Sequence, residues 1–377
     1  MSRRALALVA AAVVCAACSS SQGAAARPSA LTREVVLLTR EGYAEDSWIG
    51  AFQRSSGCRV RIRYADTTPA LAAAIATQRF DVATVPGEVA LDLAERGLLA
   101  RINPRRLPQQ NGFYPVLRRP RAAVSGTGQY GVAFLWTPNL LLWRRSIRKT
   151  DPASWQPLVD ARRIALRGRQ GATTEDTPMV IADAAIELRR SVPALRITDP
   201  FALSQQQFEA VLPLVYARMR HTTRYWQVAQ EQIDALDTRL ADVGTGGWYQ
   251  QSVLGSDAFG IVLPPGGTSA TLDLWGISAN AQHVGCAYRL IEAMSRPGVQ
   301  ATVARSFGST PSHPGACALM PAADCRRVHA NVSRGYVARL AFRRSPSETC
   351  RNVPAGCVPY GTWLEVWNTA RHSLKSG

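Results

Sequence analysis

The order of apolar runs predicts an α/β fold built as two units, and three observations carry that reading. Strand-like and helix-like patterns alternate from Glu34 onward, and a second series of such patterns begins near Ile164. Two further strand-like runs, Ala258 to Leu263 and Asp273 to Ser278, flank the turn Pro264-Pro265-Gly266-Gly267 and read as paired strands returning to the first unit. Alternation of this kind signifies a parallel sheet with helices on its faces. Open sheets of that type bind ligands beyond the carboxyl ends of their strands.

Taken in order, Val35-Val36-Leu37-Leu38 reads as a strand buried on both faces, because four consecutive apolar residues leave no solvated side. Asp46 to Gln53 reads as a helix with Trp48, Ile49 and Phe52 on one face. Arg59-Val-Arg-Ile-Arg-Tyr64 alternates with the period of a strand that is wet on one side. Pro69 opens an alanine-rich helix to Thr77, Phe80 to Val85 is a strand, and Val89 to Arg96 is a helix stopped by Gly97. Strands are expected at Tyr130 to Trp136 and Leu140 to Trp143. The second unit should hold a strand at Ile164-Ala-Leu166, helices over Thr177 to Arg190, Gln205 to Met219 and Thr223 to Arg239, and a strand at Ala241-Asp-Val. His283 to Ser295 is a helix closed by Arg296-Pro297-Gly298, and Gly361 to Ser373 is the last helix.

The first residues place Arg3 and Arg4 ahead of an apolar run, Ala5 to Ala17, that ends in small residues, as a secretory signal does. That run is too short to span a bilayer, which needs about 20 apolar residues. Ala16-Ala17 before Cys18 fits a lipoprotein processing site with Cys18 as the lipidated N-terminus, although Cys15 stands where Leu is usual; cleavage near Ala24-Ala25-Ala26 is the alternative. Residues 1–17 are then a signal peptide and residues 18–32, rich in Ser, Ala and Gly, a flexible tether. The expectation is an exported protein, lipid-anchored to the cell membrane on its periplasmic or extracellular side. Beyond the tether about 345 residues remain, enough for two domains with their own cores.

A formal charge of +17 would suit contact with polyanions, yet nearly all of it is arginine, scattered in pairs such as Arg105-Arg106 and Arg118-Arg119. With Lys149 and Lys375 the only lysines, this composition reads as the imprint of a GC-rich genome. No nucleic-acid partner is expected. Six cysteines follow Cys18: Cys58, Cys286, Cys317, Cys325, Cys350 and Cys357. An even number in an exported protein argues for disulfides. Cys317 with Cys325 and Cys350 with Cys357 would close short loops, leaving Cys58 for Cys286, but spacing alone does not choose among the pairings. His313, Cys317, Cys325 and His329 also carry zinc-type ligands, the rival to a stapled loop. No Gly-x-Ser-x-Gly elbow or His-Glu-x-x-His pair occurs, so neither an enzyme nor a metal or other cofactor is expected.

Several stretches, in their order and spacing, resemble the substrate-binding proteins of polyamine ABC importers. They are Leu37-Leu-Thr-Arg-Glu-Gly-Tyr43, Phe80-Asp-Val-Ala-Thr-Val-Pro86, Leu93-Ala-Glu-Arg-Gly-Leu-Leu99, Tyr130-Gly-Val-Ala-Phe-Leu-Trp136, Ala153-Ser154-Trp155 and Asp273-Leu-Trp-Gly-Ile-Ser-Ala-Asn280. The resemblance implies a two-lobed, periplasmic-binding-protein-like (type II) fold with a hinged cleft, one lobe being residues 33–137 plus 264–325 and the other 138–263 plus 326–377. It implies a monomeric receptor that takes a small polar solute, a polyamine first, and hands it to ABC permease subunits.

Such a site joins carboxylates, which pair with ammonium groups, to aromatic rings whose faces attract cations. The resemblance places Tyr43 on an aromatic-box position, Asp176 on a carboxylate at the start of a second-lobe helix, with Glu175 beside it, and Asp273 on the carboxylate of the returning strand. Trp136 falls near the hinge. Arg40, however, stands where the family has a box tryptophan, and Gly87, Val89, Gly244 and Thr271 stand roughly where it has Ser, Tyr, Trp and Trp. Either Trp248, Tyr249 and Trp275 rebuild the box from shifted positions, or the solute carries a carboxylate that Arg40 holds in bidentate fashion. A lobed scaffold that has lost its ligand is the remaining reading.

Overall fold

The computed structural model describes residues 33–152, 155, 171–329, 332–346 and 356–373. The signal, the tether, Cys18, Cys350 and the strand expected at Ile164 lie outside them.

The first unit begins with β1 (Glu34–Thr39), α1 (Asp46–Ser56), β2 (Arg59–Tyr64), α2 (Thr68–Thr77), β3 (Val82–Pro86) and α3 (Gly87–Glu95). β1 pairs in parallel with β2 on one side and β3 on the other. β3 is buried along its whole length, its one polar side chain, Thr84, being hydrogen-bonded to Thr39 at 2.7 Å, whereas β2 is an edge strand that exposes Arg59 and the ring of Tyr64. Gly57 ends α1 in a left-handed conformation, φ 67°, and Thr67 caps α2 by accepting from the Ala70 N–H.

The chain then enters β4 (Val132–Pro138), crosses at Asn139, and continues as β5 (Leu140–Arg144) in a different sheet. The second unit comprises β6 (Ala172–Glu175), α4 (Val180–Ser191), α5 (Gln205–His221), β7 (Thr222–Trp226), α6 (Ala229–Asp237), β8 (Val243–Gly246), α7 (Trp248–Leu254) and β9 (Phe259–Val262). Its described sheet runs β9-β5-β8-β6-β7, with β6 parallel to both β7 and β8. The helix expected over Thr223 to Arg239 is instead β7 followed by α6. The run Thr222-Thr-Arg-Tyr-Trp226 is β-branched or aromatic except at Arg224 and finds a parallel partner in β6, so sheet pairing overrides the helical pattern.

From β9 the chain crosses back through Pro264 and Pro265 to β10 (Thr268–Ile277), the central antiparallel strand of the first sheet, between β3 and β4. The two runs expected to pair with each other therefore do not. β9 lies against β5 and β10 against β4, because the proline turn between them is a crossing between units and not a hairpin. After α8 (Val284–Met294), Pro297 does not stop the chain but opens α9 (Pro297–Phe307). A proline in a first turn has no N–H to leave unbonded. β11 (Thr310–Pro311) joins β4, and β12 (Leu340–Phe342) pairs in parallel with β10. The stretch beyond residue 325 thus divides: β12 belongs to the first sheet, while α10 (Tyr360–Ser373) packs on α5 of the second unit, Trp363 against Phe208 at 5.8 Å.

The largest core fills the first unit and includes Trp136 and Trp275, respectively 1% and 0% exposed. Cys58 at the start of β2 is bonded to Cys286 on α8, and Cys317 to Cys325. The second bond removes the two thiolates on which the zinc alternative depended. Cys357 is also disulfide-bonded. No helix among the described residues is long and apolar enough to cross a membrane.

Candidate functional site

The carboxyl ends of the parallel strands in both sheets meet at one cleft. Arg40 follows β1, Glu88 follows β3, Glu175 ends β6, Trp226 ends β7 and Gly246 ends β8. Asp273 comes to the same place from the antiparallel strand, in register with Pro86 at the end of β3. This is the location that open α/β sheets reserve for ligands.

The cleft has two chambers. One, about 300 Å³, carries five carboxylates, Glu41, Asp66, Glu88, Glu175 and Asp273, against two guanidinium groups, Arg40 and Arg343. The other, about 380 Å³, is lined, among the described residues, by uncharged ones apart from Glu175. Glu175, Ala229, Thr271 and Phe307 line both, so the chambers adjoin.

In the acidic chamber Asp273 Oδ2 accepts from the Tyr43 hydroxyl at 2.6 Å and from Arg40 Nε at 3.3 Å. A tight turn presents Tyr43: its N–H donates to the Arg40 carbonyl, and Gly42 takes φ +80° where a Cβ would lie 2.7 Å from the Phe307 ring. The Tyr43 ring is 3% exposed and meets Phe307 edge-to-face at 4.5 Å and Phe134 at 5.4 Å. Burial, and then the neighbouring Asp273 charge, hold the Tyr43 phenol well above its ordinary range, so it stays a hydrogen-bond donor. Burial opposes the Arg40 charge, but Asp273, Tyr43 and Glu88 more than offset it. Arg40 also donates to the Asp66 carbonyl. Its guanidinium is therefore already held by this chain's own oxygens.

Across the chamber floor Arg343, with a side chain only 1% exposed, links the lobes. It sits 2.7 Å from Glu175 Oε2 and 3.9 Å from Asp183 of the second unit, and 3.8 Å from Glu88 Oε2 of the first. Glu88 Oε2 has no hydrogen-bond partner among the described residues. Burial pushes the Glu88 carboxyl up to about 7, with the Arg343 charge opposing and Glu175 reinforcing the shift.

The residues singled out from the sequence thus separate. Arg40, Tyr43, Glu175 and Asp273 line the acidic chamber, as do Gly87 and Thr271. Asp176 lines neither chamber: both its oxygens accept from Arg371 of α10, at 3.0 and 2.9 Å, and Oδ1 also from the Trp367 indole at 3.2 Å. Trp136 is buried edge-to-face against Phe342, and Trp275 lies beneath Tyr43 in the core. Trp248 stacks on His329, ring centroids 3.7 Å apart, and only its neighbour Tyr249 reaches the neutral chamber. Glu88, Arg343, Asp66 and Trp226 were missed. Glu88 could have been found from its place just beyond the strand ending at Pro86, but nothing local marks Arg343.

Two α/β lobes, crossed by the chain at 138–140 and 263–267, with strand ends converging on a shared cleft, define the two-lobed class of solute-binding proteins. The chain belongs to the bacterial extracellular solute-binding protein family, whose profile matches residues 47–324, and is accordingly an exported solute-binding protein. Solved structures agree on the fold. The spermidine/putrescine ABC transporter substrate-binding protein PotD from Streptococcus pneumoniae aligns at TM-score 0.69 and 14% identity over 91% of this chain and 98% of that one. A putative spermidine/putrescine ABC transporter from Listeria monocytogenes aligns at 0.68 and 15% over 91% and 99%. The MotA binding protein from A. tumefaciens B6, in complex with glucopine, aligns at 0.64 and 14% over 91% and 99%. At such identities the likeness carries the fold and leaves the solute to the residues of the cleft.

Proposed function

We propose that this chain is the non-enzymatic receptor of an ABC importer, closing its lobes around a small organic cation of the polyamine class and delivering it to a membrane permease. The observation that carries the reading is the charge of the acidic chamber. In a chain of net charge +17, five carboxylates face two guanidinium groups there. Glu88 adds a buried acceptor oxygen that no donor among the described residues meets, and an ammonium group would supply one. The alternative of an anionic solute clasped by Arg40 is less favoured, since Arg40 is engaged by Asp273 and Asp66. Closure would turn on the crossing strands, where Asn139 N–H donates to Ser269 O at 2.8 Å and β4 runs antiparallel to β10.

Titration calorimetry of the purified exported domain against putrescine, spermidine and acetylated derivatives, with glutamate as the anionic control, tests this. Binding of at least one amine, weakened about tenfold or more in Asp273→Asn, is expected. Binding of glutamate alone would reject the cationic class, and no binding by any of them would favour the ligand-free scaffold.

We also propose that the receptor works as a monomer, lipid-anchored through Cys18. Cys18→Ser should move the protein from the membrane fraction to the soluble fraction; unchanged membrane association would discard the anchor.

A further inference from the structure

The two chambers differ in a way that restricts the solute beyond its being a cation. Among the described residues that line the neutral chamber there is no Lys, Arg, His or Asp, and their single carboxylate, Glu175, stands at the junction already paired with Arg343 at 2.7 Å. A second ammonium group placed there would leave water without gaining a free counter-ion. The hydrogen-bonding groups point the same way. Trp226, which ends β7 and lines this chamber, is 9% exposed, and its buried indole N–H has no hydrogen-bond partner among the described residues. An indole N–H donates only, and an ammonium group donates only, so the two cannot satisfy each other. The partner that fits Trp226 is an acceptor oxygen. A carboxylate oxygen would bring a negative charge into a chamber whose described lining holds no cation, which leaves an uncharged carbonyl or hydroxyl. Thr137, Tyr249, Gln250 and Ser309 supply further uncharged polar groups to the lining of the same chamber.

We infer that the solute is asymmetric: a monocation whose single amine occupies the acidic chamber while an uncharged, oxygen-bearing end, such as an N-acyl group, occupies the neutral one. The inference rests on the reading of this cleft as a cation site.

The test is a matched pair of probes, putrescine and N-acetylputrescine, which share one amine and the four-carbon stem and differ in whether the far end is a second ammonium or a neutral amide. Titration of the wild-type protein should give N-acetylputrescine an affinity about tenfold or more above that of putrescine. Putrescine binding as tightly or more tightly overturns the asymmetry but leaves the cation site standing. Failure of both, with no response to spermidine either, overturns the cation site itself and is thereby a different result. Trp226→Phe keeps the ring and removes the N–H. It should narrow the ratio of the two affinities about fivefold or more, a readout that a general loss of folded protein does not change. An unchanged ratio removes Trp226 from the recognition of the neutral end.

Discussion

Glu88 sits at the first turn of α3 with its carboxyl buried, and burial pushes that carboxyl up from 4.5 to about 7. The unliganded fold therefore favours the protonated form. Its contribution to stability is complete below the ordinary value of 4.5 and is lost as pH rises through about 7. A cation in the chamber favours the carboxylate instead, so binding near neutrality should release a proton. The affinity of the best-binding amine should rise between about pH 6 and about pH 8, and Glu88→Gln should flatten that rise. Calorimetry in buffers of different ionisation heat measures the proton directly; equal proton release by wild type and Glu88→Gln would place the titrating group elsewhere. At this scale the sequence was partly legible. Tyr43 and Asp273 stand out in its motifs and do meet, while Asp176 stands out equally and is held by Arg371, 195 residues away.

β12 is only three residues long, yet the segment leaving it carries the charge that joins the lobes. Arg343 N–H donates to Ala270 O of β10 at 2.8 Å, and its guanidinium reaches Ser269 at 3.1 Å, besides Glu88, Glu175 and Asp183. Arg218 on α5 lies 3.9 Å from Asp183 from the other side. Arg343→Leu would leave Glu88 and Glu175 without their nearest cation, while Asp183 would keep Arg218. It should cost about 3–5 kcal/mol in urea denaturation at about pH 8 and less at about pH 5, where Glu88 takes up a proton. A loss that does not depend on pH would mean that packing, not charge, sets the role of Arg343. The neighbouring elements explain why strands here were harder to read than helices. α1, α2 and α5 reveal themselves through periodicity and caps, whereas β7 has a sequence that suits either state and is settled by pairing with β6.

Across the whole molecule the Cys58–Cys286 bond closes a separation of 228 residues, holding the early strands of the first lobe to a helix reached only after the chain has traversed the second. Constraint of the unfolded chain grows with loop length. Opening this bond in the double variant Cys58→Ser with Cys286→Ser should lower stability by about 3–5 kcal/mol, against about 2 kcal/mol for opening Cys317–Cys325, whose separation is 8. Thermal unfolding of the two variants side by side checks the order, and equal losses would contradict it. The sequence by itself determined the α/β class and the approximate positions of most elements, because periodicity and proline or glycine punctuation are local. Tertiary structure alone decided which carboxylates face the cleft, that Arg40 is already paired, and that a neutral chamber adjoins the acidic one. Each of these depends on which distant segments meet, and local patterning carries no record of the partner a charge will find.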